Sequence, residues 1–424
     1  MLSHDACTWP ARASAEAIKI TPNDDCVSYL PLSHAFAQMS DIWVPMYSGA
    51  AVYFANRNAL KGSLVETLRE VRPAFLFGVP RVFEKIQETM VEMGKNASFG
   101  QRMISSWAKS AGLSHNLKSF QEEGHSEGFS YTIAKKLVFG KVKERLGFDR
   151  CRLIGVGAAP LAMDTLEYFL SLDIPMYEGY GMSETMGPHT ANYPGTNKLG
   201  TVGLPLKGLK ASIFRPDHDG TGEAILYGRN IMMGYLFREK ETKEAIDDDG
   251  WLHSGDMGKL SNEYLIITGR IKELIITAGG ENVPHTPIED RIRKQLPCVS
   301  NAMLIGDGRK FLSCLLTLRV DVDPDSQEPT ERLSPPALKW CEDVGSVANT
   351  VQEALADSAV KAAIQDGINN VNGEATSNAQ KVQKWCLLPV DFSLPGGELG
   401  PTLKLKRHYV LQKYEAEIKK LYAI

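Results

Sequence analysis

Residues 250–256 read GWLHSGD and residues 269–282 read GRIKELIITAGGEN, and between them residues 264–268 (YLIIT) form a short run of apolar and β-branched residues. The run predicts a strand, with Asp256 and Arg270 at turns on either side of it. A carboxylate and a guanidinium held near one another suit a sugar diol. Asp accepts two hydrogen bonds from neighbouring hydroxyls, and Arg offers a planar fork to the sugar or to a phosphate beside it. Upstream, residues 177–185 (YEGYGMSET) put an aromatic ring, a hydroxyl and a carboxylate on one Gly-rich turn. Downstream, residues 401–407 (PTLKLKR) form a late basic cluster.

Outward from these motifs, strand-like runs at 27–30, 51–54, 74–77, 151–154 and 175–177 alternate with helical patterns. That alternation predicts an α/β fold with a parallel sheet covered by helices. Residues 87–147 differ: long polar and amphipathic stretches flank an EEGHSEG tract, which reads as a solvated loop within an insertion. From about 200 to 268, glycines punctuate short alternating runs and predict a small β-rich subdomain. The large domain therefore covers residues 1–270. A small α+β C-terminal domain follows over 271–424, with Pro-containing turns and helical periodicity inserted at 321–383 before a strand at 385–388.

Composition sets bounds. The 424 residues carry a formal net charge of -4, which argues against nucleic acid as a partner, since such proteins concentrate basic charge on one face. The seven cysteines are odd in number and dispersed, as in a reduced cytoplasmic protein. The longest apolar stretch, 43–55, is interrupted by Pro45, Ser48 and Gly49 and is too short to span a bilayer. No signal peptide is visible, and peripheral membrane contact stays open.

Taken in order, the motifs resemble those of the adenylate-forming, AMP-binding enzymes, and their wording resembles the bubblegum branch of the long-chain acyl-CoA synthetases. The resemblance covers nearly the whole chain. It implies ATP-dependent activation of a long-chain fatty acid through an acyl-adenylate, with Mg2+ as cofactor and coenzyme A as the second acceptor, on the cytoplasmic side of the endoplasmic reticulum. Electrostatics constrain such chemistry. A carboxylate approaching the α-phosphate of ATP sets two anions together, so cations must screen them and stabilise departing pyrophosphate. Once the mixed anhydride exists, AMP is a good leaving group and positioning dominates thiol attack.

The resemblance also implies roles residue by residue. Glu178, Gly179, Tyr180, Gly181, Met182 and Ser183 line the ATP/AMP pocket, with the Tyr180 ring stacking on adenine. By itself, Tyr180 is equally well a turn tyrosine. Glu184 holds the metal, although Ser183 beside Glu184 is also a plain helix start. Many relatives carry threonine at the position of Ser183, which keeps the hydroxyl. Residues 155–161 (GVGAAPL) lack a third glycine and contain Pro160, so they are not a dinucleotide fingerprint. Gly157, Ala158 and Ala159 are instead implied near the nucleotide, together with Asp256 and Arg270.

His34, in LPLSHAF, is a pocket member near the substrate carboxylate, where a lone histidine is more often structural. Residues 75–83 (FLFGVPRVF) are core by default and candidates for the wall of an acyl tunnel. Lys272 matches the family's hinge, and its bland reading is a solvated lysine. Gly279, Gly280 and Glu281 face coenzyme A. Lys404 matches the adenylation lysine, while Lys406 and Arg407 read as helix-start or surface charges.

Members of the family carry a Ser/Thr/Gly-rich phosphate loop ending in lysine just before a segment like residues 1–9 (MLSHDACTW). This sequence begins where that loop ends, and no such tract occurs elsewhere in it. Two expectations compete: a fragment or alternative product of a longer gene, or a truncated non-catalytic acyl- or nucleotide-binding protein that regulates a full-length relative. Missing strands predict uncovered apolar edges, hence poor solubility or need of a partner.

Overall fold

Short β-branched and aromatic runs between helices become parallel strands, because a sheet covered on both faces takes continuous apolar segments. The computed structural model describes residues 1–56, 58–59, 62–95, 97–121, 126–271, 274–323, 326–400 and 404–423. The chain divides into two units, Met1–Thr268 and Gly269–Ile424. In the first, β1 (Asp25–Ser28) and β2 (Ala51–Phe54) pair in parallel. A five-stranded sheet follows in the order β3 (Phe75–Gly78), β4 (Leu153–Val156), β5 (Met176–Met182), β6 (Gly187–Ala191) and β7 (Leu204–Pro205). β3, β4 and the start of β5 are parallel, whereas β5, β6 and β7 are antiparallel.

The core of this sheet is aromatic and aliphatic: Leu76, Phe83, Phe169 and Met176 are at most 2% exposed. β2, by contrast, shows Tyr53 and Phe54 to solvent. The glycine-punctuated stretch forms an antiparallel sheet in the order β11-β10-β9-β8, with β8 (Lys210–Phe214), β9 (Gly222–Tyr227), β10 (Leu252–Ser261) and β11 (Tyr264–Arg270). No helix among the described residues is long and apolar enough to cross a membrane.

The stretch read as a solvated insertion is more firmly held than its polarity suggests. Helices Pro80–Lys95, Phe99–Gln121, Phe129–Ala134 and Gly140–Leu146 occupy it, and residues 122–125 of the EEGHSEG tract lie outside the described residues. Buried Asp173, just before β5, accepts from Tyr131 Oη at 2.8 Å and from Lys143 Nζ at 2.6 Å, with Asn116 Nδ2 at 3.4 Å. Helices Phe99–Gln121, Phe129–Ala134 and Gly140–Leu146 thus each direct a donor to one largely buried carboxylate, as a polar group withdrawn from water requires.

In the second unit, β12 (Leu274–Ile276) and β13 (Asn282–Pro284) form a hairpin. β14 (Val299–Ile305) and β15 (Leu312–Leu318) are antiparallel, β16 (Val320–Val322) and β17 (Pro329–Leu333) form a second hairpin, and β18 (Val382–Leu387) joins β15 in parallel. β15 is buried along its whole length, as a central strand should be. Helices Pro335–Asp343, Val351–Ala356 and Ser358–Gly373 fill the interval between β17 and β18.

Helix Phe99–Gln121 contains one glycine whose absent side chain is a packing requirement. A Cβ on Gly112 would lie 2.4 Å from the Ser171 carbonyl oxygen and 2.8 Å from Phe139 Cζ. Alanine in an isolated helix is favoured over glycine by about 1 kcal/mol. Gly112→Ala is nevertheless expected to destabilise the protein by about 1–3 kcal/mol through overpacking. Gly94→Ala, in open space, is expected to be neutral or slightly stabilising. Urea denaturation of the two variants checks the contrast.

Candidate active site

Residues 177–182 are strand, not turn, and the reason is in their glycines. β5 pairs in parallel with β4 through Ile154–Met176, Gly155–Tyr177 and Val156–Glu178, then antiparallel with β6 from Gly179 onward. A Cβ on Gly181 would stand 1.8 Å from the Gly187 carbonyl oxygen, so only glycine admits this approach. Ser183–Thr185 then form one turn of 3-10 helix, closed by Met186 in the left-handed region at φ 50. Behind the turn lies a buried polar chain that carries no motif. Asn230 Nδ2 reaches the Thr185 carbonyl at 3.3 Å and His189 Nδ1 at 3.1 Å, while His189 Nε2 meets the Lys210 carbonyl at 2.8 Å. Burial pushes the His189 imidazole down to about 4, so it is neutral.

Tyr180 and Asp256, far apart in sequence, meet: the phenol donates to Asp256 Oδ2 at 2.6 Å. Asp256 does not sit at a turn outside the strand, as its glycine-rich setting suggested. It lies within β10, where the pairing with β9 shifts register between His253 and Met257. Gly255 at φ 71 makes the bulge. Ser254 Oγ accepts from the Asp256 amide at 3.0 Å, and Glu223 holds both the Gly255 amide and His253 Nδ1. A bulge re-aims one side chain without ending a strand, and here it aims a carboxylate that is 4% exposed. Arg270 likewise is no turn residue but the last residue of β11, and it falls in the second unit.

Beside this pair, Gly157, Ala158 and Ala159 form the turn after β4, with Ala158 at φ 67. A Cβ on Gly157 would lie 3.2 Å from Phe36 Cε2 and 3.3 Å from the Gly179 carbonyl oxygen. Phe36 also meets Phe77 edge-on at 6.1 Å. The segments around His34, Phe77, Gly157 and Gly179 thus converge, but Phe36 supplies the contact that the sequence gave no reason to choose. His34 caps the helix beginning at Ala35, its Nδ1 accepting from the Phe36 amide at 3.2 Å. Phe75 and Phe83 are fully buried core, and Phe77 is half-buried. Burial pushes the Glu178 carboxyl up to about 7, partly offset by a hydrogen bond from the Leu161 backbone that ties β5 to the turn.

Glu184 Oε1 accepts from Tyr235 Oη at 2.8 Å, a partner the sequence did not signal. No group of three or more His, Cys, Asp or Glu side chains suited to a metal exists among the described residues. One carboxylate fits a magnesium ion held mainly by nucleotide phosphates, the usual way this cation is bound, and does not fit an all-protein cage.

In the second unit, Gly279 and Gly280 form the turn between β12 and β13, with Gly280 at φ 78 and its amide donating to the Thr277 carbonyl. Glu281 accepts from Ser377 Oγ at 3.2 Å. Lys272 lies outside the described residues, as do residues 401–403. The Lys404 carbonyl accepts from the Gly400 amide at 2.8 Å. Arg407 does start a helix, Arg407–Lys413, but it is no loose surface charge: its guanidinium pairs with buried Glu289 at 2.6 Å.

A parallel sheet turning antiparallel, with a β-rich subdomain and a separate smaller α+β unit, is shared with solved adenylate-forming enzymes. Residues 1–236 match the AMP-binding enzyme model and residues 272–344 the AMP-binding enzyme C-terminal domain; the chain belongs to this family. It is 52% identical over 429 residues to the Xenopus laevis long-chain-fatty-acid–CoA ligase ACSBG2, covering 100% of this chain and 58% of that protein. To the Homo sapiens ACSBG2 it is 50% identical over 427 residues, covering 100% and 64%. The chain thus spans about three fifths of the length of these relatives. Among solved structures, the ATP-bound RpMatB-BxBclM chimera B3 superposes with TM-score 0.65 at 20% identity, over 98% of this chain and 65% of that one. Bacillus subtilis o-succinylbenzoate CoA synthetase in complex with the intermediate OSB-AMP gives TM-score 0.64 at 19% identity, over 97% and 65%.

Glu178 gives the first unit a pH signature. Its ordinary value is 4.5 and burial raises it to about 7. A raised acid contributes stability fully below its unfolded pKa, and that contribution is lost as pH rises through the folded pKa. Wild-type stability is therefore expected to fall by up to about 3 kcal/mol between pH 4.5 and pH 8 from this group alone. Glu178→Gln removes that fall, so its thermal midpoint relative to wild type should rise from pH 5 to pH 8. An unchanged difference between the two pH values would show that Glu178 ionises normally.

Proposed function

We propose that this chain serves the ATP-dependent activation of long-chain fatty acids to acyl-CoA through an acyl-adenylate. The Tyr180–Asp256 contact carries the reading. It ties the hydroxyl of an aromatic ring to a carboxylate by a 2.6 Å hydrogen bond, so that a stacking face and an acceptor for a diol stand side by side, the pair an adenosine needs. Identity near 50% along the whole chain to proteins named long-chain-fatty-acid–CoA ligases supports the acyl substrate.

In the first step a carboxylate oxygen attacks the α-phosphorus of ATP, and the bond to pyrophosphate breaks with its electrons leaving on oxygen. Tyr180 stacks on adenine, Asp256 accepts from the ribose hydroxyls, and Arg270 forks onto ribose or phosphate. Gly157, Ala158, Ala159, Glu178, Gly179, Gly181 and Met182 form the close wall, and Ser183 donates to the α-phosphate. Glu184 holds magnesium, which neutralises charge on the phosphates when bound. Lys404 bridges carboxylate and phosphate oxygens as a compact cation. In the second step the coenzyme A sulfur attacks the acyl carbon and AMP departs. Lys272 is the hinge between the two steps, Gly279, Gly280 and Glu281 face the pantetheine arm, and His34 borders the carboxylate. Cytoplasmic location with peripheral contact to the endoplasmic reticulum membrane belongs to the same reading.

Pyrophosphate release with a long-chain fatty acid, ATP and magnesium tests it. Tyr180→Ala and Asp256→Ala are expected to weaken AMP binding by about 10- to 100-fold, the scale of a lost stack or of lost charge-assisted hydrogen bonds. Lys404→Ala is expected to lower adenylate formation by at least about 100-fold with AMP binding retained. Binding of AMP by the unaltered chain without any release of pyrophosphate would instead assign it a non-catalytic nucleotide-binding role.

A further inference from the structure

The chain on either side of Lys404 is tied to two buried carboxylates, Glu398 and Glu289, neither of which the proposed chemistry uses. Glu398, six residues before Lys404, is 1% exposed. Its Oε1 accepts from Lys413 Nζ at 2.5 Å and Tyr414 Oη at 3.1 Å, and its own carbonyl accepts from the Lys406 amide at 2.7 Å. An isolated bridge between Leu399 and Leu405 draws the segment on either side of Lys404 together.

Three residues after Lys404, Arg407 enters a second network. Among the described residues β14 is the edge strand of its sheet, so the outward N–H and C=O of Leu304 meet no strand there. Glu289 Oε1 accepts from the Leu304 amide at 2.7 Å, and Arg407 Nη2 donates to the Leu304 carbonyl at 2.5 Å. Glu289 and Arg407 also bind one another at 2.6 Å, and His285 Nδ1 meets Glu289 Oε2 at 3.0 Å. The pair thereby stands in for a missing strand at the end of β14. Burial alone would raise the Glu289 carboxyl, but Arg407 and His285 outweigh it and hold the group below its ordinary range, so it is ionised.

We propose that Glu289 and Arg407 are positioning residues for adenylation, fixing the backbone that carries Lys404 to the β14 edge so that its ammonium is presented in one place. The inference rests on the role proposed for Lys404. A lysine has four rotatable side-chain bonds, and anchoring its main chain on both sides removes the backbone's own share of the ammonium's positional spread. A displacement of about 1 Å at a reacting centre costs on the order of 100-fold. A carboxylate clamp acting through the backbone therefore belongs to the turnover of one half-reaction and not to nucleotide affinity.

Glu289→Gln keeps size while removing the charge, and Arg407→Lys keeps the charge while giving up the guanidinium's simultaneous reach to Glu289 and the Leu304 carbonyl. Both are expected to lower the turnover of adenylate formation by about 10- to 100-fold, with KM for ATP and thioester formation from pre-formed acyl-adenylate changed less than about twofold. Arg407→Ala should be worse than Arg407→Lys. Amide hydrogen exchange over residues 404–410 should speed up in the variants while β15 stays protected. Parallel loss of both half-reactions, or unchanged exchange over 404–410, overturns the proposal. Should the unaltered chain form no adenylate, the role proposed for Lys404 fails, while the exchange measurement over residues 404–410 still decides whether Glu289 and Arg407 hold that segment.

Discussion

β5 changes the sense of its partners halfway along: Met176–Glu178 run parallel to β4, and from Gly179 to Met182 the strand runs antiparallel to β6. The first unit depends on this crossing. Parallel strands deliver their carboxyl ends to one edge of a sheet, where open α/β folds place ligands. By continuing past that edge into a hairpin, β5 carries Tyr180 beyond the core and into reach of Asp256. The crossing demands close backbone contact, which is why glycine stands at 181, paired with Pro188 and against the Gly187 carbonyl, and why a methyl group there has no room. Sequence, register and site geometry are one constraint at this point.

The polar interior follows a common rule. Asp173, His189, Glu289 and Glu398 are all buried, and each is met by donors or acceptors from segments distant in sequence. An unpaired buried charge costs several kcal/mol, whereas a paired one is near neutral in stability but strongly prefers one arrangement. These groups are therefore better understood as fixing which segments meet than as sources of net stability. Asp173 docks the helical insertion, His189 steadies the turn that bears Ser183 and Glu184, and the two glutamates bracket Lys404.

Local signals in the sequence were legible where one element determined its own conformation. Strand runs at 51–54 and 74–77 appear as Ala51–Phe54 and Phe75–Gly78, because apolar length and flanking breakers are local properties. The α/β class followed from their alternation with helices. Errors arose where a distant partner decided. Glycines in YEGYGMSET suggest a turn until Gly187 is known to lie against them, and Asp256 looks like a loop acid until the bulge is seen paired with β9. Arg407 has an ordinary basic neighbourhood in sequence, and nothing near it announces Glu289 or the open edge at Leu304. Phe36, Asn230 and Tyr235 carry no motif at all. Their parts arise from proximity, which one chain read in order does not display. The family resemblance reached Tyr180 and Asp256 because it transmits long-range information that the residues themselves lack.

If the proposed two half-reactions share one carbonyl, they would ask opposite things of a small C-terminal unit: to exchange which groups it presents, yet to present each of them accurately. Freedom and accuracy are compatible only if motion is confined to a hinge and the moving body is stiff within itself. The second unit has the internal features of such a body. Its central strand β15 is wholly buried, its edge strand is sealed at Leu304 by an ion pair instead of a further strand, and the lysine segment is tied down on both sides. Under that proposal, softness located in the lysine segment would blur the adenylation step, whereas stiffness placed there would leave reorientation to the hinge proposed at Lys272.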